Sequence, residues 1–295
     1  MPGDWISRLP IARTFAALRQ RTAQLEMVKA DLRQTRSQLD AEAQRADLLV
    51  RAHLRAVSAK HLKAIVTERT AEYRDAQPFP NIVFEDFVDT DVLAAVVAEL
   101  AGMDRGNWQH TTKDYERKSS IEDVRRFPPL TRALVQHLNA SPFLEFIEEL
   151  TGIRGLIADP HLRGGGLHEI RRGGTLGVHA DFNVYTRLKI FRRLNLLIYL
   201  NRDWQDDWGG HLELWDRSGK RCVTRIAPTF NRAVLFETSN FSYHGHPHPL
   251  QCPEERSRQS IALYYYSVEY PYEADTAPHG TLFLAREGSH QPSTS

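Results

Sequence analysis

Apolar residues change their spacing along the chain, and each change marks an element boundary. Leu18, Leu25, Leu32, Leu39 and Ala46 recur every seven residues, with Val28 on the companion seam position. Neither Gly nor Pro occurs between residues 11 and 77. The repeat therefore predicts a long helix whose stripe could pair with a second copy over residues 15–66, or stand free, or lie partly on the following domain. Arg21, Thr35 and Glu42 leave one side of the seam mostly polar, and after Ala46 the spacing drifts to Val50, Leu54, Val57, His61 and Ile65. The start, with Trp5, Ile6, Leu9, Ile11, Phe15 and Leu18 among Arg8 and Arg13, has the make-up of an interfacial helix, interrupted by Pro10.

Pro78-Phe79-Pro80 stops the helical pattern. Asn81–Phe84 reads as a short strand and Thr90–Leu100 as a helix. The stretch Gly106–Arg126 is polar and mixed, and reads as loop. Leu130–Gly152 reads as two helices, carried by Leu134, Val135 and Leu138, then by Phe143, Phe146, Ile147 and Leu150. From residue 156 strand-like runs alternate with turns, at 167–170, 176–184, 194–200, 211–215, 222–226, 233–236 and 261–268. Short strands at this spacing predict an antiparallel jelly roll. The expected class is α+β: a jelly-roll core over 156–268 inside a domain spanning 78–272, with flanking helices. A long helical extension (1–77) precedes it and a loose tail (273–295) follows.

Composition narrows the function classes. Lys+Arg is 38 against Asp+Glu 37, so the basic excess of a general nucleic-acid binder is missing. Residues 1–77 carry 14 basic against 9 acidic side chains, or +5, and the remainder carries −4. Two cysteines, Cys222 and Cys252, exclude a disulfide-stapled scaffold and a Cys-rich zinc module, and read as free thiols. No apolar run reaches the length of a membrane span and the N-terminus lacks a secretion-signal core, so a cytoplasmic protein is the expectation.

The chemistry sits in the strand-rich part. His179 and Asp181 are two apart on a strand and so share a face, about 7 Å apart along the backbone. A third donor must come from another strand. His244 follows the strand at 233–236, and a His-x-Asp…His set suits a facial triad with open positions for non-haem Fe(II). His246 and His248 compete with His244 for that role, and His246 has the same parity. Arg258 and Ser260 share a face of the last strand, and a guanidinium beside a hydroxyl suits a carboxylate. Arg256 competes with Arg258 but has no such serine. Three ligands and a carboxylate anchor on one face are the layout that chelates 2-oxoglutarate. Asn195 and Tyr199, four apart on an inner strand, would hydrogen-bond the same molecule or be satisfied core groups. Asn183 would face substrate, His161 and His168 read as structural or substrate-facing, and Tyr264, Tyr265 and Tyr266 as packing.

The pattern resembles the Fe(II)/2-oxoglutarate-dependent dioxygenases, in the subgroup with a prolyl 4-hydroxylase-like catalytic domain. The resemblance is carried by His179-x-Asp181, Tyr199-Leu200-Asn201, Gly209-Gly210-x-Leu212, His244 and Arg258-x-Ser260, with Phe79–Phe87 resembling an opening strand. It implies a double-stranded β-helix, metal ligands His179, Asp181 and His244, and 2-oxoglutarate on Arg258, Ser260, Tyr199 and Asn195. It also implies O2 as co-substrate, succinate and CO2 as co-products, and ascorbate as an accessory reductant. Animal prolyl hydroxylases usually carry Lys where this chain has Arg258, which bears on the substrate and not on the co-substrate. The substrate stays open among a peptidyl residue, a sugar and a small metabolite, with Gly106–Arg126 and Asn201–Asp207 as candidate lids. Trp108, Tyr115, Arg117, Trp204 and Trp208 would line those lids. Two other readings stand beside this one: a cupin-type metal barrel without 2-oxoglutarate, which would not need Arg258, and a coiled-coil interaction protein with a degenerate barrel.

Overall fold

The computed structural model describes residues 10–104, 106, 108–269 and 277–284. Trp5, Ile6 and Leu9 of the expected interfacial helix, and much of the expected loose tail, lie outside the described residues. The chain divides after Leu48. Before that point lies most of α1 (Pro10–Leu54), in which every side chain from Thr14 to Asp47 is exposed. Among the described residues no helix is long and apolar enough to cross a membrane.

The second unit begins with the end of α1. The helical pattern then breaks at 55–58, where the heptad spacing has drifted, and resumes as α2 (Ala59–Asp75). Ser58 caps α2 by accepting the His61 N–H. Leu62, Ile65 and Tyr73 of α2 are buried, and α2 packs on α5 (Ser141–Thr151). Between them come β1 (Asn81–Phe84), α3 (Thr90–Ala101), β2 (Gln109–Lys113), β3 (Glu116–Ile121) and α4 (Pro129–Leu138). Asp89 caps α3 and takes Arg51 on the same carboxylate, which ties the end of α1 to the domain.

The rest is strand: β4 (Ile157–Ala158), β5 (Gly166–Arg171), β6 (Leu176–Ala180), β7 (Val184–Tyr185), β8 (Ile190–Tyr199), β9 (Leu212–Trp215), β10 (Cys222–Ile226), β11 (Ala233–Glu237), β12 (His244–His246), β13 (Ser257–Ser267) and β14 (Leu282–Phe283). The strand order is β1-β11-β8-β13-β5-β3-β6-β12-β9-β10, with β2 on β3, β4 on β13, β7 on β8 and β14 on β6. Because β3 pairs with both β5 and β6, the sheet folds over on itself as the double-stranded β-helix that the strand spacing predicted. Alternation on β13 separates two faces. Tyr265 points to the helices, donating its OH to the Leu138 carbonyl and packing on Phe143. Arg258, Ser260 and Tyr264 point the other way, into a cavity.

Two sequence readings are corrected. Residues 106–126 are not a loop: β2 and β3 form a hairpin, polar on both faces, so its ladder and not its hydrophobic pattern defines it. Residues 277–284 are not loose. Leu282 and Phe283 pair with Ala180 and His179 of β6, and Asn183 holds the Ala277 carbonyl and the His279 N–H. Asn183 is thus a clasp for this segment and not a substrate contact.

Candidate active site

β12 lies between β6 and β9, and its His244 faces His179 across the ladder. The strands come this close because a glycine sits on each: a Cβ on Gly245 would lie 2.7 Å from the Gly177 carbonyl oxygen. The two imidazole centroids are 4.4 Å apart. His179 Nε2 is 3.6 Å from one Asp181 oxygen, and His244 Nε2 is 3.5 Å from the other. Among the described residues, His179, Asp181 and His244 form the cluster whose donor atoms all lie within 4.8 Å of one another.

The backbone sets the tautomers. His179 Nδ1 is 2.8 Å from the Gly177 carbonyl and His244 Nδ1 is 3.0 Å from the Ser242 carbonyl. A carbonyl only accepts, so each ring carries its hydrogen on Nδ1 and turns a bare Nε2 lone pair toward Asp181. Burial, with His179 beside it, pulls His244 down to about 4, so it is neutral at ordinary pH. Burial pushes the Asp181 carboxyl up, but Arg192, His244 and His179 outweigh it and hold it well below the usual carboxylate range. Two lone pairs facing one carboxylate, with no proton between them, fit a divalent cation.

Arg192 was not foreseen from sequence. It is 2 % exposed, with Nη2 3.0 Å from Asp181 Oδ2 and Nε donating to Asn195 Oδ1. Asn195 Nδ2 donates to the same Asp181 oxygen at 2.8 Å. Asn195 therefore orients Asp181 while it also lines the cavity. A cation inside the apolar strand Ile190–Tyr199 was the available signal, because a buried charge is almost always paired. The guanidinium lies over the Tyr264 ring at 3.3 Å.

Arg258 stands in the same cavity, 5 % exposed. Its Nε donates to the Gly210 carbonyl at 2.7 Å and its Nη2 to Tyr199 Oη at 3.2 Å. Gly210 has φ +73, and a Cβ there would lie 3.0 Å from Arg258 Cδ, which explains a glycine at this position. No carboxylate among the described residues pairs with Arg258. Burial accordingly pulls its pKa down, against partial relief from Tyr199. A buried cation without an anion marks a seat for one. The cavity, of about 340 Å³, is also lined by Ser260 and Tyr264.

The competitors fall elsewhere. Arg256 donates to the Arg202 carbonyl and lines a separate groove, and His246 lies in the cavity but outside the metal-ligand cluster. Trp204 is buried with Ile170, Leu250 and Cys252, so neither it nor Trp208 lines the cavity. Trp108 and Arg117 line another groove, and Tyr115 stacks on Phe283. The hairpin contributes Glu116 and Lys118 to the cavity instead, Glu122 follows directly after it, and residues 277–284 contribute Thr281 and Phe283.

Comparison with known proteins bears on this geometry. Residues 165–266 match the family described as the 2OG-Fe(II) oxygenase superfamily. A 79-residue stretch is 37 % identical to prolyl 3-hydroxylase OGFOD1 of Mus musculus, covering 25 % of this chain and 14 % of that protein. The fold is similar to a prolyl hydroxylase of Trichoplax adhaerens, solved with a hypoxia inducible factor peptide fragment. That match has TM-score 0.53 and 18 % identity, over 70 % of this chain and 91 % of the other. It is also similar to a prolyl 4-hydroxylase of Phytophthora capsici, with TM-score 0.50 and 16 % identity, over 73 % and 67 % of the two chains.

Proposed function

We propose, from the match of residues 165–266 to the 2OG-Fe(II) oxygenase superfamily, that this protein is an Fe(II)- and 2-oxoglutarate-dependent hydroxylase acting on an unactivated C–H bond. One observation carries the reading: a tautomer-locked His–Asp–His cluster and a buried arginine that no carboxylate of the described residues pairs open into one cavity. His179, Asp181 and His244 would hold the metal, and Arg258 with Tyr199 and Ser260 the far carboxylate of 2-oxoglutarate. Chemistry at such a centre couples oxidative decarboxylation of the keto acid, giving succinate and CO2, to insertion of one oxygen atom into the substrate. The chain's own part is positioning. Arg192 and Asn195 keep Asp181 ionised and aimed, the Gly177 and Ser242 carbonyls keep both Nε2 lone pairs free, and Phe283 screens the His179 ring at 5.2 Å between centroids.

The mouse relative's name supplies the first substrate to try, a prolyl residue in a peptide. A cupin-type barrel without 2-oxoglutarate would leave Arg258 a buried charge without purpose. The test is absorbance of the anaerobic Fe(II) protein on adding 2-oxoglutarate, followed by succinate yield and mass spectrometry of incubated peptide and metabolite fractions. A charge-transfer band, with a product gaining one oxygen atom, is expected; a protein that binds iron without such a band overturns the proposal.

The exposed stripe of α1 supports a second copy as partner. Leu18, Leu25, Leu32 and Leu39 are 60, 55, 63 and 61 % exposed, one per heptad, and a lone amphipathic helix gains little in water unless that stripe is covered.

A further inference from the structure

Once the hydrogen bonds of the cavity are assigned, one imidazole is left wholly without partners. His246 is 3 % exposed and neither of its ring nitrogens has a partner. His168 Nε2 is also buried and without a partner. Both rings line the cavity that holds the metal cluster and Arg258. The ladders explain why. His246 lies two residues beyond His244 on β12, opposite Leu176 of β6, so it stands next to the metal end. His168 on β5 is the cross-strand neighbour of Ser260, whose own strand carries Arg258 one step further out. His246, His179 and Arg258 line the same cavity.

A buried polar group without a partner is costly, and a valine or leucine at 246 would avoid the cost. Such a group beside a guanidinium that no described carboxylate pairs has one explanation, a bound anion that uses both. We propose that His246 is a co-substrate contact: its ring N–H donates to a carboxylate oxygen of the dicarboxylate held between the metal ligands and Arg258, with His168 lining the facing wall. The proposal rests on the 2-oxoglutarate reading above and adds a third point of attachment. A metal ligand set and one arginine fix the two ends of the keto acid. A directional donor between them fixes its rotation about the line joining those ends, and with it the direction left open to substrate.

The test is calorimetric titration of 2-oxoglutarate into the full-length, Mn(II)-loaded protein under argon, where binding is read without turnover. His246→Val is expected to weaken 2-oxoglutarate about tenfold or more while Mn(II) affinity and the melting temperature of the metal-loaded protein hold. His246→Asn, which keeps a donor, is expected to recover most of that loss. His246→Leu, closer in volume to the imidazole, gives the same readout should the valine variant fail to fold. Binding of 2-oxoglutarate by His246→Val within twofold of the wild type would overturn the assignment, and would mean that the ring holds only water. Failure of the wild-type protein itself to take 2-oxoglutarate would sink the reading beneath it, and this inference with it.

Discussion

Arg258 makes opposite demands on the free and the bound protein, and Arg258→Met separates them. In the free protein the guanidinium is 5 % exposed and bonds only to the Gly210 carbonyl and the Tyr199 hydroxyl. Methionine keeps an unbranched stem in the slot beside Gly210 and removes a desolvated charge that no carboxylate offsets. The ligand-free variant should therefore match the wild type within about 1 kcal/mol, or exceed it. In the bound protein the same change deletes charge-assisted hydrogen bonds of about 1.5–3 kcal/mol. A two-point grip lost at about 3 kcal/mol raises the 2-oxoglutarate dissociation constant about a hundredfold. Urea unfolding without ligand gives the first quantity, and titration of the Mn(II) protein under argon gives the second. A variant that loses several kcal/mol in the free state yet binds 2-oxoglutarate like the wild type would make Arg258 a structural residue and refute the reasoning.

Three further outcomes are expected. Asp181→Asn removes the charged ligand and orphans Arg192. Mn(II) affinity should fall at least about a hundredfold and stability by about 3–5 kcal/mol; normal Mn(II) binding by electron paramagnetic resonance would exclude Asp181 as a ligand. His244 has a folded pKa of about 4, below the 6.5 of a free imidazole. The unfolded chain thus binds the extra proton between those values, so metal-free stability should rise with pH across that window by up to about 1.4 kcal/mol per unit. Denaturant midpoints in chelator, flat from pH 4.5 to 6.5 for wild type and His244→Gln alike, would contradict this. Leu25→Asp with Leu32→Asp should convert an associated protein to a monomer by light scattering without moving the near-ultraviolet spectrum of the second unit. A wild-type chain that is monomeric at high micromolar concentration rules out the α1 seam as a dimer contact.

Much of the site was legible because its residues obey strand parity. The i, i+2 spacing of His179 and Asp181, and of Arg258 and Ser260, puts each pair on one face whatever the details of the fold. What escaped notice depends on partners distant in sequence. Arg192 becomes intelligible only beside Asp181, and the tautomers of His179 and His244 are set by carbonyls that no side-chain pattern reveals. The hairpin at Gln109–Ile121 was missed because polar residues cover both its faces. Trp204 looked available for substrate, yet tertiary packing uses it to back Ile170 from behind the cavity wall. The segment 277–284 has a composition that suggests slack, and it is held by backbone bonding to β6 and by Asn183, neither of which leaves a mark in composition.

That segment has a practical side. Leu284 donates its N–H to the Val178 carbonyl, next to His179, while Phe283 is wedged between Tyr115 and the His179 ring. Cleavage around residue 277 would therefore free one wall of the cavity that holds His179, Asp181 and His244.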